Sequence, residues 1–179
     1  VPFEWGRDGG EVTPLAENVQ SVRLFMYEVK TIKTNSPKET LRLGSRFAGK
    51  LNEGDIVALV GDLGSGKTVF VKGIAMGLGV EDPLYVNSPS FVILKEYFGA
   101  KNLYHFDVYR LDLKGFCETL DYEKYFYGKG ITVIEWADKI ETLLPEDHIK
   151  IKISYGIEDE RIFQFFANGE KYRKAAAEL

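Results

Sequence analysis

The stretch Gly61-Asp62-Leu63-Gly64-Ser65-Gly66-Lys67-Thr68 restricts the fold more than any other part of this 179-residue chain. It satisfies G-x-x-x-x-G-K-[ST] in full. A compact loop of backbone N–H groups can wrap a polyphosphate only in conformations that glycine permits. The context agrees with the motif. Ile56-Val57-Ala58-Leu59-Val60 is a continuous apolar run, the pattern of a strand buried on both faces. Lys67 to Leu78 reads as a helix, whose N-terminal end turns its partial positive charge toward an anion. An ordinary glycine turn is the competing reading, and the flanking strand and helix argue against it. In the phosphate-binding reading, Leu63, Gly64, Ser65 and Gly66 supply the loop, Lys67 neutralises β/γ oxygens and the Thr68 hydroxyl is a magnesium ligand.

Such a loop needs a second carboxylate near the metal, at the tip of a neighbouring buried strand. Ile131-Thr132-Val133-Ile134 is a second buried-strand candidate, and Glu135 closes it. Glu135 is either that metal carboxylate or a solvated strand-end residue. Trp136 follows it and comes near the nucleotide by position. In Tyr104-His105-Phe106-Asp107-Val108-Tyr109-Arg110, alternation puts His105, Asp107 and Tyr109 on one face. Asp107 either positions a water or makes a structural salt link to Arg110 or a lysine. His105 reads as a hydrogen-bonded core or edge histidine. Ser88 and Ser90 flank Pro89. Spacing alone favours a plain Ser-Pro turn over a segment that reaches a γ-phosphate. Asp112-Leu113-Lys114-Gly115 matches a short D-x-x-G pattern, but no Asn-Lys-x-Asp guanine reader occurs in the chain, so ATP is favoured over GTP.

Around these motifs, Tyr27 to Ile32 alternates as a strand, and Ser36-Pro37 reads as a cap and first helical position with an apolar stripe of Leu41, Phe47, Ala48 and Leu51. Gly73 and Gly77 mark where the next helix sits close to the sheet. Phe91–Phe98 and Leu103–Leu111 form a hairpin, Lys114–Tyr127 a helix, Ala137–Leu144 a short helix, and Ile149–Tyr155 with Arg161–Ala167 a closing hairpin. The class is α/β: a P-loop NTPase-like three-layer fold with a central mixed, largely parallel sheet and hairpin additions. Residues 1–25 read as an N-terminal extension, 26–169 as a P-loop ATPase domain and 170–179 as a polar tail.

Charge and cysteine content exclude other classes. With 23 basic and 27 acidic residues the net charge is −4, so a bulk basic footprint for nucleic acid is absent. The single cysteine, Cys117, excludes a disulfide framework. No apolar run approaches a membrane span, and the default location is the cytoplasm.

Leu63-Gly64-Ser65-Gly66-Lys67-Thr68, Ser88-Pro89-Ser90-Phe91, His105-Phe106-Asp107-Val108-Tyr109-Arg110 and Ile134-Glu135-Trp136 occur in an order and spacing that resembles the TsaE (YjeE) family. These are small bacterial P-loop ATPases of tRNA threonylcarbamoyladenosine biosynthesis. The resemblance covers about Tyr27 to Ala167. It implies one α/β domain that binds ATP or ADP with Mg2+ and hydrolyses ATP slowly until it docks on the transferase subunit TsaD and its paralogue TsaB, with any tRNA contact indirect. It implies that Thr68 and Glu135 ligate magnesium, that Lys67 holds phosphates and that Asp107 is the hydrolysis-linked acid. It places Trp136 beside the site, Ser36 near the adenosine and Arg161 over the nucleotide. Ser90 stands where the family usually has threonine, and residues 1–25 have no counterpart. A small-metabolite P-loop kinase and a non-hydrolysing, nucleotide-dependent docking module are the alternatives; no arginine cluster of the kind kinase lids use follows the P-loop helix.

Overall fold

A computed structural model describes residues 26–179, and the extension expected over 1–25 lies outside the described residues. β1 (Tyr27–Thr34) leads into α1 (Pro37–Ala48). The Ser36 hydroxyl accepts the Glu39 N–H at 3.2 Å, and Pro37 occupies the first helical position, where no N–H is required. β2 (Ile56–Val60) is followed by α2 (Lys67–Gly77), which stops at Leu78 with Gly79 beyond it at φ 73°. β3 (Leu94–Tyr97) and β4 (Leu103–Asp107) form the expected antiparallel hairpin. Two short helices, α3 (Leu113–Thr119) and α4 (Glu123–Phe126), precede β5 (Ile131–Glu135). A kinked 3-10 segment, Ala137–Leu143, leads to the hairpin β6 (Ile149–Tyr155) and β7 (Arg161–Ala167), and α5 (Glu170–Ala177) ends the fold.

The seven strands form one sheet in the order β1-β7-β6-β2-β5-β4-β3. The four central strands, β6-β2-β5-β4, run parallel, and β7, β1 and β3 add antiparallel edges. The mixed, largely parallel α/β sheet is thus present. β2 and β5 are buried on both faces because both faces are covered there. Val57, Leu59, Ile131 and Val133 face the layer of α1, α2 and α5. Ile56, Ala58 and Ile134 face the layer of α3, α4 and the 3-10 segment. Phe70 anchors the first layer, its ring 5.9 Å from that of Phe47 and 5.2 Å from that of Phe163.

Five sequence expectations change. Gly73 and Gly77 seat α2 against α1 and not on the sheet. A Cβ at Gly73 would strike the Leu41 carbonyl, and one at Gly77 would lie 2.5 Å from the Ser45 carbonyl oxygen. Gly44 answers from α1, where a Cβ would lie 2.5 Å from the Phe70 carbonyl oxygen. Leu43 joins the buried stripe of α1 while Leu41 is only half-buried. The helix expected over Lys114–Tyr127 breaks at Leu120, whose φ of −147° and ψ of 139° are extended. The strand expected from Phe91 begins only at Leu94. The Pro89 carbonyl takes the N–H groups of both Val92 and Ile93, and Ile93 is left-handed at φ 68°. Residues 170–179, read as a polar tail, supply α5 with Tyr172 fully buried.

Candidate nucleotide site

The site lies at the C-terminal tips of β2, β4 and β5. The loop from Gly61 connects β2 to α2, and Gly64 and Gly66 take φ values of 77° and 102° that L side chains resist. Gly66 is the N-cap of α2 and has no side chain to give it. α1 and α3 are capped by Ser36 and Asp112. The first α-helical bond of α2 runs from Phe70 N–H to the Gly66 carbonyl at 3.0 Å, so the N–H groups of Lys67, Thr68 and Val69 have no intrahelical acceptor. A cavity of about 370 Å3 opens in front of them. The Ser65 hydroxyl is buried in the loop without a hydrogen-bond partner among the described residues.

Strand parity brings the acids to this helix. Asp107 and Glu135 are direct neighbours in the β4–β5 register, and both share the parity of Val133, which faces α2. Both are buried. The Thr68 hydroxyl donates to the Glu135 carboxylate, 2.9 Å from Oε1 and 3.1 Å from Oε2. His105 Nε2 also lies 2.9 Å from Oε1. Among the described residues Asp107 makes no salt link, the second of its two readings. Its Oδ2 accepts from Ser90 at 2.7 Å and from Ser88, and its Oδ1 accepts the Tyr109 N–H at 2.9 Å. Arg110 instead stacks over the Phe91 ring at 4.4 Å. Ser88 and Ser90 therefore do more than make a turn: their hydroxyls, 2.5 Å apart, line the cavity beside Asp107.

Lys67 is buried, and its Nζ donates to the carbonyls of Gly61 at 2.7 Å and Asp62 at 2.8 Å. The Trp136 ring lies over it at 4.0 Å, and Tyr109 packs on that ring at 4.8 Å. Burial pushes the Lys67 amine below its ordinary range, against the charges of Glu135, Asp107 and Asp62, which favour the ammonium. Trp136 holds a left-handed backbone, φ 62°, a conformation that costs a non-glycine residue about 1–3 kcal/mol. Strain of that size needs a surrounding structure that fixes it, and the Lys67 and Tyr109 contacts do so.

Ser36 and Arg161 lie together in a second cavity of about 110 Å3, which shares Gly64, Gly66 and Val69 with the first. Arg161 stacks over Tyr155 at 4.7 Å, and the Tyr155 hydroxyl donates to the Leu63 carbonyl at the exposed tip of the loop. Tyr155 and Tyr109 were not singled out as site residues. Tyr109 carried a signal, being two residues beyond Asp107 on its predicted face. Tyr155 carried none, since a tyrosine at the end of a hairpin strand looks like any edge residue. Asp112 accepts the Gly115 N–H at 2.8 Å and caps α3, which accounts for the D-x-x-G pattern without a nucleotide.

A glycine loop between a buried parallel strand and an uncapped helix, with paired carboxylates on the next two strands, defines an α/β protein of the P-loop class. The family model "Threonylcarbamoyl adenosine biosynthesis protein TsaE" matches residues 34–163. The chain belongs to the TsaE family of tRNA threonylcarbamoyladenosine biosynthesis proteins. The tRNA threonylcarbamoyladenosine biosynthesis protein TsaE of Bacillus subtilis (strain 168) is 43% identical over 148 residues, 82% of this chain and 91% of that protein. The protein of the same name from Treponema pallidum is 40% identical over 121 residues, 67% of this chain and 87% of its own length. Among solved structures, that of Bacillus subtilis YdiB superposes with a TM-score of 0.71 at 36% identity, over 86% of this chain and 95% of that one.

Proposed function

We propose that the chain is a Mg2+-dependent ATPase of low intrinsic rate and an accessory subunit of the threonylcarbamoyladenosine machinery, stimulated by docking on TsaD and TsaB. The observation that carries this reading is the uncapped start of α2. Three first-turn N–H groups without a side-chain cap, and a buried lysine resting on two loop carbonyls, border a cavity of about 370 Å3. Phosphate oxygens are the ligand chemistry that fits.

The donor set suits magnesium as well. Mg2+ takes one or two protein oxygens and completes its shell with phosphates and waters. Thr68 and Glu135 offer such oxygens in hydrogen-bond contact with each other. Bound there, the metal would neutralise phosphate charge. The chain's own groups do the rest. Loop and helix N–H groups hold the phosphates, and Lys67 leaves its two carbonyls for the β/γ oxygens. Asp107 orients the attacking water, giving ADP and inorganic phosphate. The smaller cavity, lined by Ser36 and Arg161, receives the nucleoside end. Transfer to the tRNA adenosine belongs to the transferase subunit, any tRNA contact here is indirect, and the work is cytoplasmic. Among the described residues no helix is long and apolar enough to cross a membrane.

The test is phosphate release from ATP with and without the TsaD–TsaB pair. The isolated chain is expected to turn over well below the enzyme median of about 10 per second and to accelerate when the pair is added. A pair that leaves the rate unchanged removes the docking claim. Calorimetry that gives no heat for ATP or ADP with Mg2+ removes the nucleotide reading itself.

A further inference from the structure

His105 lies on β4 two residues before Asp107, with the same strand parity, and is completely buried. It is absent from the lining of the large cavity, so it has no direct approach to a ligand there. Its only hydrogen bond among the described residues runs from Nε2 to Glu135 Oε1, at 2.9 Å. Glu135 Oε1 already accepts the Thr68 hydroxyl, so the contact is read as the His105 Nε2–H donating to that oxygen. The surroundings agree, because Nδ1 is buried with no partner. The opposite tautomer would set a lone pair against the carboxylate and bury an N–H with no acceptor. A histidine kept for packing alone would gain nothing from this one-sided arrangement. An apolar ring would fill the volume without an orphaned nitrogen.

Glu135 receives two donors of different kinds. Thr68 reaches both carboxylate oxygens from the loop helix, while His105 holds only Oε1 from the neighbouring strand. Oε2 has no other protein partner among the described residues. If Thr68 turns its hydroxyl to a ligand, the imidazole is the one remaining side-chain hydrogen bond to the carboxylate among the described residues.

We infer that His105 is a positioning residue for Glu135: its Nε2–H clamps Oε1 and so sets the rotation at which the carboxylate meets Thr68 and the cavity. This rests on the metal role proposed for Glu135. An outer-shell partner of a metal-binding carboxylate typically sets about 10–100-fold in metal affinity. The geometry also makes a chemical distinction: what matters is a donor at the Nε2 position, which glutamine can supply and phenylalanine cannot.

Two measurements test it. The first is ADP binding by calorimetry across a Mg2+ titration, in wild type, His105→Phe and His105→Gln, with melting curves to confirm folding. The Mg2+ concentration for half-maximal gain in ADP affinity should rise about tenfold in His105→Phe, while ADP affinity in chelator stays within about twofold. His105→Gln should return the Mg2+ midpoint to within about threefold of wild type. An unchanged midpoint in a folded His105→Phe overturns the positioning role alone, as does a glutamine variant no better than phenylalanine. A wild type with no Mg2+ dependence overturns the metal reading and this role together. The second measurement needs no variant of His105. Imidazole nitrogen NMR of the ligand-free protein should show the Nε2–H tautomer, with its resonance displaced in Glu135→Gln. An Nδ1–H tautomer, or a resonance indifferent to Glu135→Gln, overturns the clamp.

Discussion

The two ends of the parallel strands both bury polar groups, and they treat them differently. At the N-terminal end the groups are matched to one another. Asp55 accepts the Asn52 N–H at 2.8 Å and the Lys171 ammonium at 2.7 Å. The Tyr172 hydroxyl accepts the Ile56 N–H at 3.1 Å, and Thr132 donates to the Tyr125 carbonyl at 2.9 Å. At the C-terminal end Lys67 rests on carbonyls, Ser65 is unpartnered, and the first turn of α2 has no cap. Buried polarity that is internally satisfied holds a fold together. Buried polarity with spare capacity is kept for something else. Two groups at the closed end break the pattern: His148 donates from Nδ1 to the Pro145 carbonyl at 2.7 Å but leaves Nε2 without a partner among the described residues, and the hydroxyl of Tyr97, on β3 opposite Leu103, is buried with none.

Substitutions at the closed end should therefore change stability and spare the ligand. Tyr172→Ala should lower the unfolding free energy by about 3–5 kcal/mol, read by denaturant titration, because it empties a fully buried site. Tyr172→Phe keeps the ring and strands the Ile56 N–H, and should cost about 1–2 kcal/mol. ADP affinity of the folded fraction should not move in either. A large loss of affinity would mean that the two ends are coupled and the contrast is false.

Lys67→Ala should do the reverse. It should weaken Mg2+–ADP binding by about 2 kcal/mol, roughly thirtyfold by calorimetry. The melting temperature without nucleotide should hold or rise, because a buried amine and its desolvation are gone. A steep fall in stability would make the lysine a structural element and not a held-back charge.

The smallest effect concerns His148. Burial lowers its pKa from the ordinary 6.5, outweighing the Pro145 and Glu146 carbonyls that favour the charged ring. The unfolded chain thus takes up the proton first as pH falls below 6.5. Stability present above that value declines down to the folded-state pKa and levels off beneath it. His148→Asn keeps a donor for Pro145 and should flatten this slope in melting curves between neutral and mildly acidic pH. An unchanged slope would place the acid sensitivity elsewhere.

Sequence alone revealed much of one end and little of the other. The glycine loop was legible because glycine spacing, a lysine and a hydroxyl have few structural uses together, and Ile56–Val60 and Ile131–Ile134 announce their burial. The hairpin Ile149–Tyr155 with Arg161–Ala167 fell where alternation put it. α5 was not legible: Tyr172, Ala175 and Ala176 are its only buried residues, too few to stand out among charges. The glycines of α2 showed their close approach in the sequence but not its partner, because spacing names a face and not what covers it. The Ser88, Ser90 and Asp107 contacts join segments far apart along the chain, and no local pattern encodes such a meeting.

The glycines at the seam of α1 and α2 set a yardstick. They let two neighbouring helices approach until Leu41, Phe70 and Ser45 carbonyls touch the opposing backbone, which leaves little room for sliding. Ser36 caps one helix and Lys67 begins the other, so that seam holds the Ser36 side of the smaller cavity against the Gly64, Gly66 and Val69 wall it shares with the larger one. A side chain at Gly44, Gly73 or Gly77 would part the helices and disturb that shared wall.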